Sequence, residues 1–166
     1  MDFWVENGFL PVPGEALILY NRATDNTGVL FSTETSDRKA YMAFDNNEST
    51  YWFPGWNYLT GDHYIGLDLY TLIGKSSQIS KCEVTMFVQG SATYSVSLQG
   101  SNDGEFWESI SETISFTAST SNNKFSVLTN KYFAYKYVRF KITGNFGSTN
   151  NWANAIIAAD FYGIPV

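Results

Sequence analysis

Tyr94-Ser95-Val96-Ser97-Leu98-Gln99-Gly100-Ser101-Asn102-Asp103-Gly104-Glu105-Phe106-Trp107 carries two signals in one stretch. Tyr94, Val96 and Leu98 alternate with Ser95, Ser97 and Gln99, the period-two pattern of a strand with one face buried and the other wet. Asn102-Asp103-Gly104 then supplies turn chemistry, because Asn and Asp bond their own backbone and Gly reaches positive φ without steric cost. The same alternation recurs outward along the chain. Ile65, Leu67 and Leu69 share a face of Tyr64–Leu69, and Cys82, Val84, Met86 and Val88 share another. Val138, Phe140 and Ile142 alternate with Arg139, Lys141 and Thr143, while Ala16–Tyr20 reads as a short buried strand. Helical periodicity is confined to Asp37–Ala43, a single turn for which Asp37 is the expected N-cap. Short strands joined by turn-rich segments imply an all-β sandwich or barrel.

Composition narrows the function classes. A chain of 166 residues suits one domain, and at that size roughly 70% of the unfolded surface is buried without help from a metal or disulfide. Hydrophobic residues make up 44% and charged residues 16%, which excludes a disordered chain. A net charge of −6 leaves no basic surface for nucleic acid. No run approaches the ~20 apolar residues of a membrane-spanning helix. Met1-Asp2-Phe3-Trp4-Val5-Glu6 lacks the basic start of a signal peptide; either export does not use that route or a leader has been removed.

Cys82 is the single cysteine and His63 the single histidine. That excludes an internal disulfide and a cysteine metal cluster, and argues against zinc, Ser-His-Asp and Cys-His hydrolases together. Glu105 with Glu108, and Asp62 with Asp68, read as solvated surface or caps rather than a glycosidase pair. Binding, not catalysis, is the expectation.

Three segments in order resemble the discoidin domain, also called the coagulation-factor type C domain, whose fold is shared with family 32 carbohydrate-binding modules. Ala43-Phe44-Asp45-Asn46-Asn47-Glu48-Ser49-Thr50-Tyr51-Trp52 is similar to the family's A-F-D-G-N-x-x-T-x-W. Val96–Trp107 is similar to V-x-x-S-x-D-G-x-x-W, and Tyr137–Ile142 with Ala159-Asp160-Phe161-Tyr162-Gly163 to its Y-V-R strand and closing strand. The resemblance implies an eight-stranded antiparallel jelly-roll sandwich over residues 15–166, with the chain ends at one pole and recognition loops at the other. Residues 1–14 are expected to form an arm outside it, whose Phe3, Trp4, Phe9 and Leu10 would dock on another virion or cell-surface protein or on a second copy.

The resemblance also implies a structural calcium ion. Carried over by position, its side-chain ligands are Asp45, Thr50 and Asp160, with carbonyls from Met42, Asn47, Thr50 and Ala159; these oxygens suit calcium's coordination. Asn46 stands where the family has glycine, and Asn tolerates positive φ. Asp160 stands where the family usually has Glu and reaches one methylene less far. Without an ion, Asp45 would cap a turn and Asp160 would meet a backbone N–H.

Recognition loops are expected at residues 33–38, 53–63, 89–93 and 144–154. Trp56 and Trp152 are the candidates to stack on a sugar, with Asp62, His63, Gln89, Asn150 and Asn151 as hydrogen-bonding partners. Trp52 and Trp107 are core or under-loop positions by resemblance. Galactose-binding relatives carry an arginine where this chain has Gln89-Gly90-Ser91-Ala92, so their hydroxyl clamp is missing. The resulting expectation is a non-catalytic glycan- or receptor-binding module on an extracellular or virion surface, or alternatively a structural component of a phage tail, fibre or capsid.

Overall fold

The computed structural model describes residues 16–55, 60–88, 92–118, 121–145 and 155–166. Two antiparallel sheets face each other. The strands are β1 (Leu17–Ile18), β2 (Val29–Phe31), β3 (Thr60–Asp68), β4 (Ser77–Val88), β5 (Ala92–Ser101) and β6 (Glu108–Ser109), followed by β7 (Ile114–Ala118), β8 (Ser121–Leu128), β9 (Ala134–Tyr135), β10 (Tyr137–Asn145) and β11 (Ala155–Pro165). One sheet runs β1-β11-β4-β8, with β9 also on β4; the other runs β2-β3-β10-β5-β6, with β7 also on β5. The chain crosses between sheets at β1–β2, β3–β4, β4–β5, β7–β8, β9–β10 and β10–β11. The expected eight-stranded sandwich is present, and β1, β6 and β9 add two-residue pieces to it.

Alternation builds the core as the sequence indicates for β3, β4, β5 and β10, and β8 and β11 complete it. Ile65 and Leu67, Tyr94, Val96 and Leu98, and Val138, Phe140 and Ile142 line the inner face of the second sheet. They meet Cys82, Val84, Met86, Val127, Ile156, Ala159 and Phe161 of the first. Burying each large side chain contributes about 1.5–3 kcal/mol. An aromatic run, Tyr94–Phe116–Phe125–Phe140, links the layers at centroid distances of 5.6, 4.8 and 6.0 Å.

Three local expectations are corrected. Leu17 and Ile18 are not buried: β1 is an edge strand with only β11 beside it, and Leu17 is 65% exposed while Leu19 turns inward. The turn near Asp37 is one 3-10 turn at Ala40–Ala43 without a side-chain cap at Lys39. Its anchor is Glu34, whose carboxylate accepts from the Ala40 N–H at 2.8 Å, the Lys39 ammonium at 2.8 Å and the Asn26 amide at 2.9 Å. Asp37 instead accepts from the Thr35 hydroxyl. Finally, Leu69 does not extend its strand; it opens α1 (Leu69–Ile73), capped by Asp68, which accepts from Thr71 N, and closed by Gly74 at φ 69°.

The register fixes the poles. Thr60 pairs with Asn145 and Asn145 with Thr93, while Ala155 pairs with Phe87 and Val88 with Ser121. The strand ends flanking residues 56–59, 89–91 and 146–154 therefore lie at one pole. Leu17 pairs with Gly163 and Pro165 with Ser77 at the other, which carries the ends of the described sandwich. Residues 1–14 lie outside the described residues.

Candidate functional site

The segment after the 3-10 turn is folded around Asp45. Its Oδ1 accepts from Asn47 N at 3.0 Å and its Oδ2 from the Thr50 hydroxyl at 2.6 Å. The Thr50 hydroxyl also lies 2.9 Å from the Asn47 carbonyl, and Thr50 N donates to that same oxygen. Asn46 makes the reversal at φ 54°, the one non-glycine with positive φ among the described residues. A family glycine is thus replaced by one of the few side chains that accept its conformation. The turn that Asp45 caps collects a carboxylate, a hydroxyl and a carbonyl in one place.

Asp160 comes to this segment from β11. It pairs with Glu83 of β4 on the outer face of the first sheet, and Phe161 beside it stacks on Phe44 at 6.4 Å. Ala43, Asn46, Asn47, Glu83 and Asp160 line a groove of about 400 Å³. Burial pushes the Asp160 carboxyl above the usual carboxylate range, and the nearby Glu83 charge pushes it the same way. Glu83 has partners, with Lys81 Nζ at 2.7 Å and the Tyr162 hydroxyl at 3.1 Å. The Asp160 carboxylate has no hydrogen bond or ion pair among the described residues. Asp160 thus shares a groove with Asn46 and Asn47 of the turn that Asp45 and Thr50 build, and a carboxylate, a hydroxyl and a carbonyl are the donor types that calcium takes. Among the described residues no three His, Cys, Asp or Glu side chains cluster as a metal site, so any such ion would rely on carbonyls and a hydroxyl as well.

The ligand-binding expectations divide. Trp56, Gln89, Asn150, Asn151 and Trp152 lie outside the described residues, on segments that join strand ends of the first pole. Asp62 sits on the outer face of β3, two residues from that pole. Its carboxylate is already engaged by the Thr143 hydroxyl and by Lys141 Nζ at 3.0 Å, which hold its pKa below the usual value. His63 is only 3% exposed, and its Nδ1 lies 3.4 Å from the Ser32 hydroxyl. It shares the inward face of β3 with Ile65 and Leu67, so strand alternation makes it a core residue rather than a loop contact.

Of the two tryptophans expected inside, Trp52 is fully buried. Its backbone pairs with Ile156 in both directions at 2.9 Å, and its indole donates to Thr33 O at 2.8 Å. Trp107 differs: it is partly exposed and stacks over Arg139 at 4.0 Å. Glu83 at the groove was not foreseen. Only strand pairing brings it to Asp160, 77 positions away in the chain by 160 minus 83, and no local pattern signals that.

The sheet order, the Asp45 turn and the polar arrangement bear directly on the comparisons with known proteins. The sequence matches the family model described as the F5/8 type C domain over residues 28–159. No curated protein sequence matches significantly. Among solved structures, chitosan-binding module 1 from a chitosanase/glucanase of Paenibacillus sp. IK-5 superposes with a TM-score of 0.59 at 19% identity, covering 87% of this chain and 99% of that one. A family 32 module from NanJ of C. perfringens, in complex with galactose, gives 0.58 at 18% identity, covering 82% and 93%. The family 32 module of AlyQ, in complex with 4,5-unsaturated mannuronic acid, gives 0.55 at 22%, covering 80% and 92%. These likenesses establish the fold, and the family match, which spans well over half of the sequence, establishes that the chain belongs to the F5/8 type C domain family.

Proposed function

We propose that this domain is a non-catalytic carbohydrate-binding module whose recognition surface is the pole fed by residues 56–59, 89–91 and 146–154. The observation that supports it is the convergence of the flanking strand ends. The segments that carry Trp56, Gln89, Asn150, Asn151 and Trp152 connect these strand ends in the sequence. Aromatic faces and neutral amides suit a hydroxyl-rich ligand. The solved relatives include modules described with chitosan, galactose and an unsaturated mannuronic acid, which supports a saccharide and leaves its identity open. The missing arginine near Gln89 favours a ligand other than galactose.

Titration against a panel of neutral, amino and acidic oligosaccharides tests this reading. Trp56→Ala and Trp152→Ala are each expected to weaken the best binder about tenfold or more, as loss of a stacked aromatic anchor does, while leaving the melting temperature unchanged. A panel without a binder, or variants that bind like the parent, would remove it.

Calcium is part of the same proposal. Asp45, Thr50 and Asp160, with the carbonyls of Met42, Asn47 and Ala159, would hold the ion. Its two-plus charge would offset the two carboxylates and pin the segment from Ala43 to Thr50 against β11. An ion at 100 times its Kd stabilises the folded state by about 2.7 kcal/mol, or a melting shift of about 5 °C or more at this size. Superimposable melting curves in millimolar calcium and in excess chelator would count decisively against the ion.

A second reading, that of a building block in a virion or cell-surface assembly, is favoured by exposed apolar side chains. Phe106 is 79% exposed, and Leu17, Leu128 and Phe133 are each 65% exposed.

A further inference from the structure

The outer face of the β2-β3-β10-β5 sheet carries a cation with an unusual setting. Arg139 projects from β10 with its guanidinium carbon 4.4 Å from the Tyr64 ring centroid and 4.0 Å from that of Trp107. Its Nε donates to Gln99 Oε1 at 2.7 Å. The neighbouring position on β3 is Gly66, where a Cβ would collide with the Val138 carbonyl and the Arg139 backbone. β10 therefore lies close against β3 at this position, and no side chain of Gly66 stands between Arg139 and Leu30, which pairs with Gly66 from the far side. Arg139, Tyr64 and Trp107 together with Val29, Leu30 and Phe31 line a groove of about 270 Å³ there.

Among the described residues the guanidinium has no ion-pair partner. Ion pairs among the described residues engage Arg38, Lys39, Lys81, Lys131 and Lys141, and none engages Arg139. Asp62, the carboxylate that acts on it at a distance, is held by Lys141 and Thr143. Burial lowers the Arg139 pKa, against weaker support from Tyr64 and Asp62. Cation–π contact offsets part of this desolvation, but rings occupy the faces of a guanidinium and leave its edge, the part that binds planar carboxylates through paired N–H donors.

We propose that this groove is a second ligand site, separate from the loop pole, in which the Arg139 edge takes the carboxylate of a sugar acid and Leu30, the one outward side chain of β2, packs on its apolar face. The site does not depend on the pole or on calcium. Glucuronate is the probe, followed by the Arg139 Nε–H and Trp107 indole N–H resonances of the labelled full chain, in chelator and at constant ionic strength. Saturable shifts of both with glucuronate, absent with glucose or sodium chloride, are the expected result. Arg139→Lys, which keeps the charge without the planar fork, should weaken binding at least tenfold. Leu30→Glu, which leaves Arg139 in place and offers it an internal carboxylate, should abolish the shift of the Trp107 indole. Equal shifts with glucose or chloride, no shift, or undiminished binding by Leu30→Glu would overturn the proposal. Acetate as effective as glucuronate would overturn the part assigned to Leu30. Loss of pole binding in Trp56→Ala with intact glucuronate shifts would separate the two sites.

Discussion

Asp160 shows how one residue's role is set by its surroundings. On the sequence it is a carboxylate in a closing strand, one methylene shorter than the family's Glu. In the fold it is partly buried beside Glu83, and both effects favour its protonated form. The sign follows from proton linkage. A carboxyl whose folded pKa lies above its unfolded value binds more protons in the folded state. Its contribution is therefore unfavourable to folding, and stability falls as pH rises from about the reference 3.8 through the raised value. In chelator, Asp160→Asn is expected to flatten that fall and to be more stable than the parent at neutral pH. In calcium the order reverses, because the variant loses the ion's stabilisation. Urea denaturation across pH 4 to 7, with and without calcium, reads both effects. A variant less stable than its parent in chelator would show that the carboxylate has another favourable partner. The reversal at Asn46 was legible beforehand, since a family glycine replaced by Asn already signals a left-handed backbone. The burial of His63 was not, because a residue bordering a loop in sequence is assigned its face only when the strand's start is known.

At the level of elements, alternation located β3, β4, β5 and β10, left β7 and β8 unmarked, and missed the helix. Ile65, Leu67 and Leu69 fit one strand face, and all three are buried. Yet Asp68 stops the strand: its carboxylate accepts from Thr71 N at 3.0 Å and from the Thr71 hydroxyl at 2.7 Å, turning the chain into α1. A local cap thus overrides a period-two pattern without changing which residues are inside. Asp68→Ala is expected to cost about 1 kcal/mol, the usual value of an N-cap, measured as a shift of the urea midpoint with unchanged slope. Asp68→Asn, which keeps an acceptor, should recover most of it. No change in either variant would mean that packing of Leu69 alone holds the turn. The 3-10 turn at Ala40 teaches the converse. Asp37 looked like its cap from spacing, but Glu34, six residues upstream of Ala40, reaches the N–H, a contact set by the path of the intervening chain.

For the whole molecule, the antiparallel register puts the ends of the described sandwich and the proposed recognition segments at opposite poles. The exposed apolar residues are the clearest whole-molecule test of the assembly reading. Phe106 and Phe133 belong to segments brought together by Asn102, whose side chain donates to Ala134 O and accepts from Lys136 N. If they form a contact with a second copy or a partner, the chain should self-associate in light scattering at high concentration. Phe106→Ser with Phe133→Ser should then abolish association while leaving the melting temperature within about 1 °C, as surface changes cost little. A chain monomeric at all concentrations would leave these residues without a role in self-assembly.

The sequence by itself determined the all-β class, the inward residues of β3, β4, β5 and β10, the exclusion of cysteine and multi-histidine chemistry, and the family. Those properties depend on local periodicity, on counts and on motif order, none of which needs a third dimension. Only the tertiary structure decided that Asp160 lies beside Glu83, that His63 is inside, and that Arg139 packs against two aromatic rings with no ion-pair partner among the described residues. Such facts depend on strand register and sheet order, which bring together residues far apart in the chain, and pairing across a sandwich leaves no trace in the spacing of either partner.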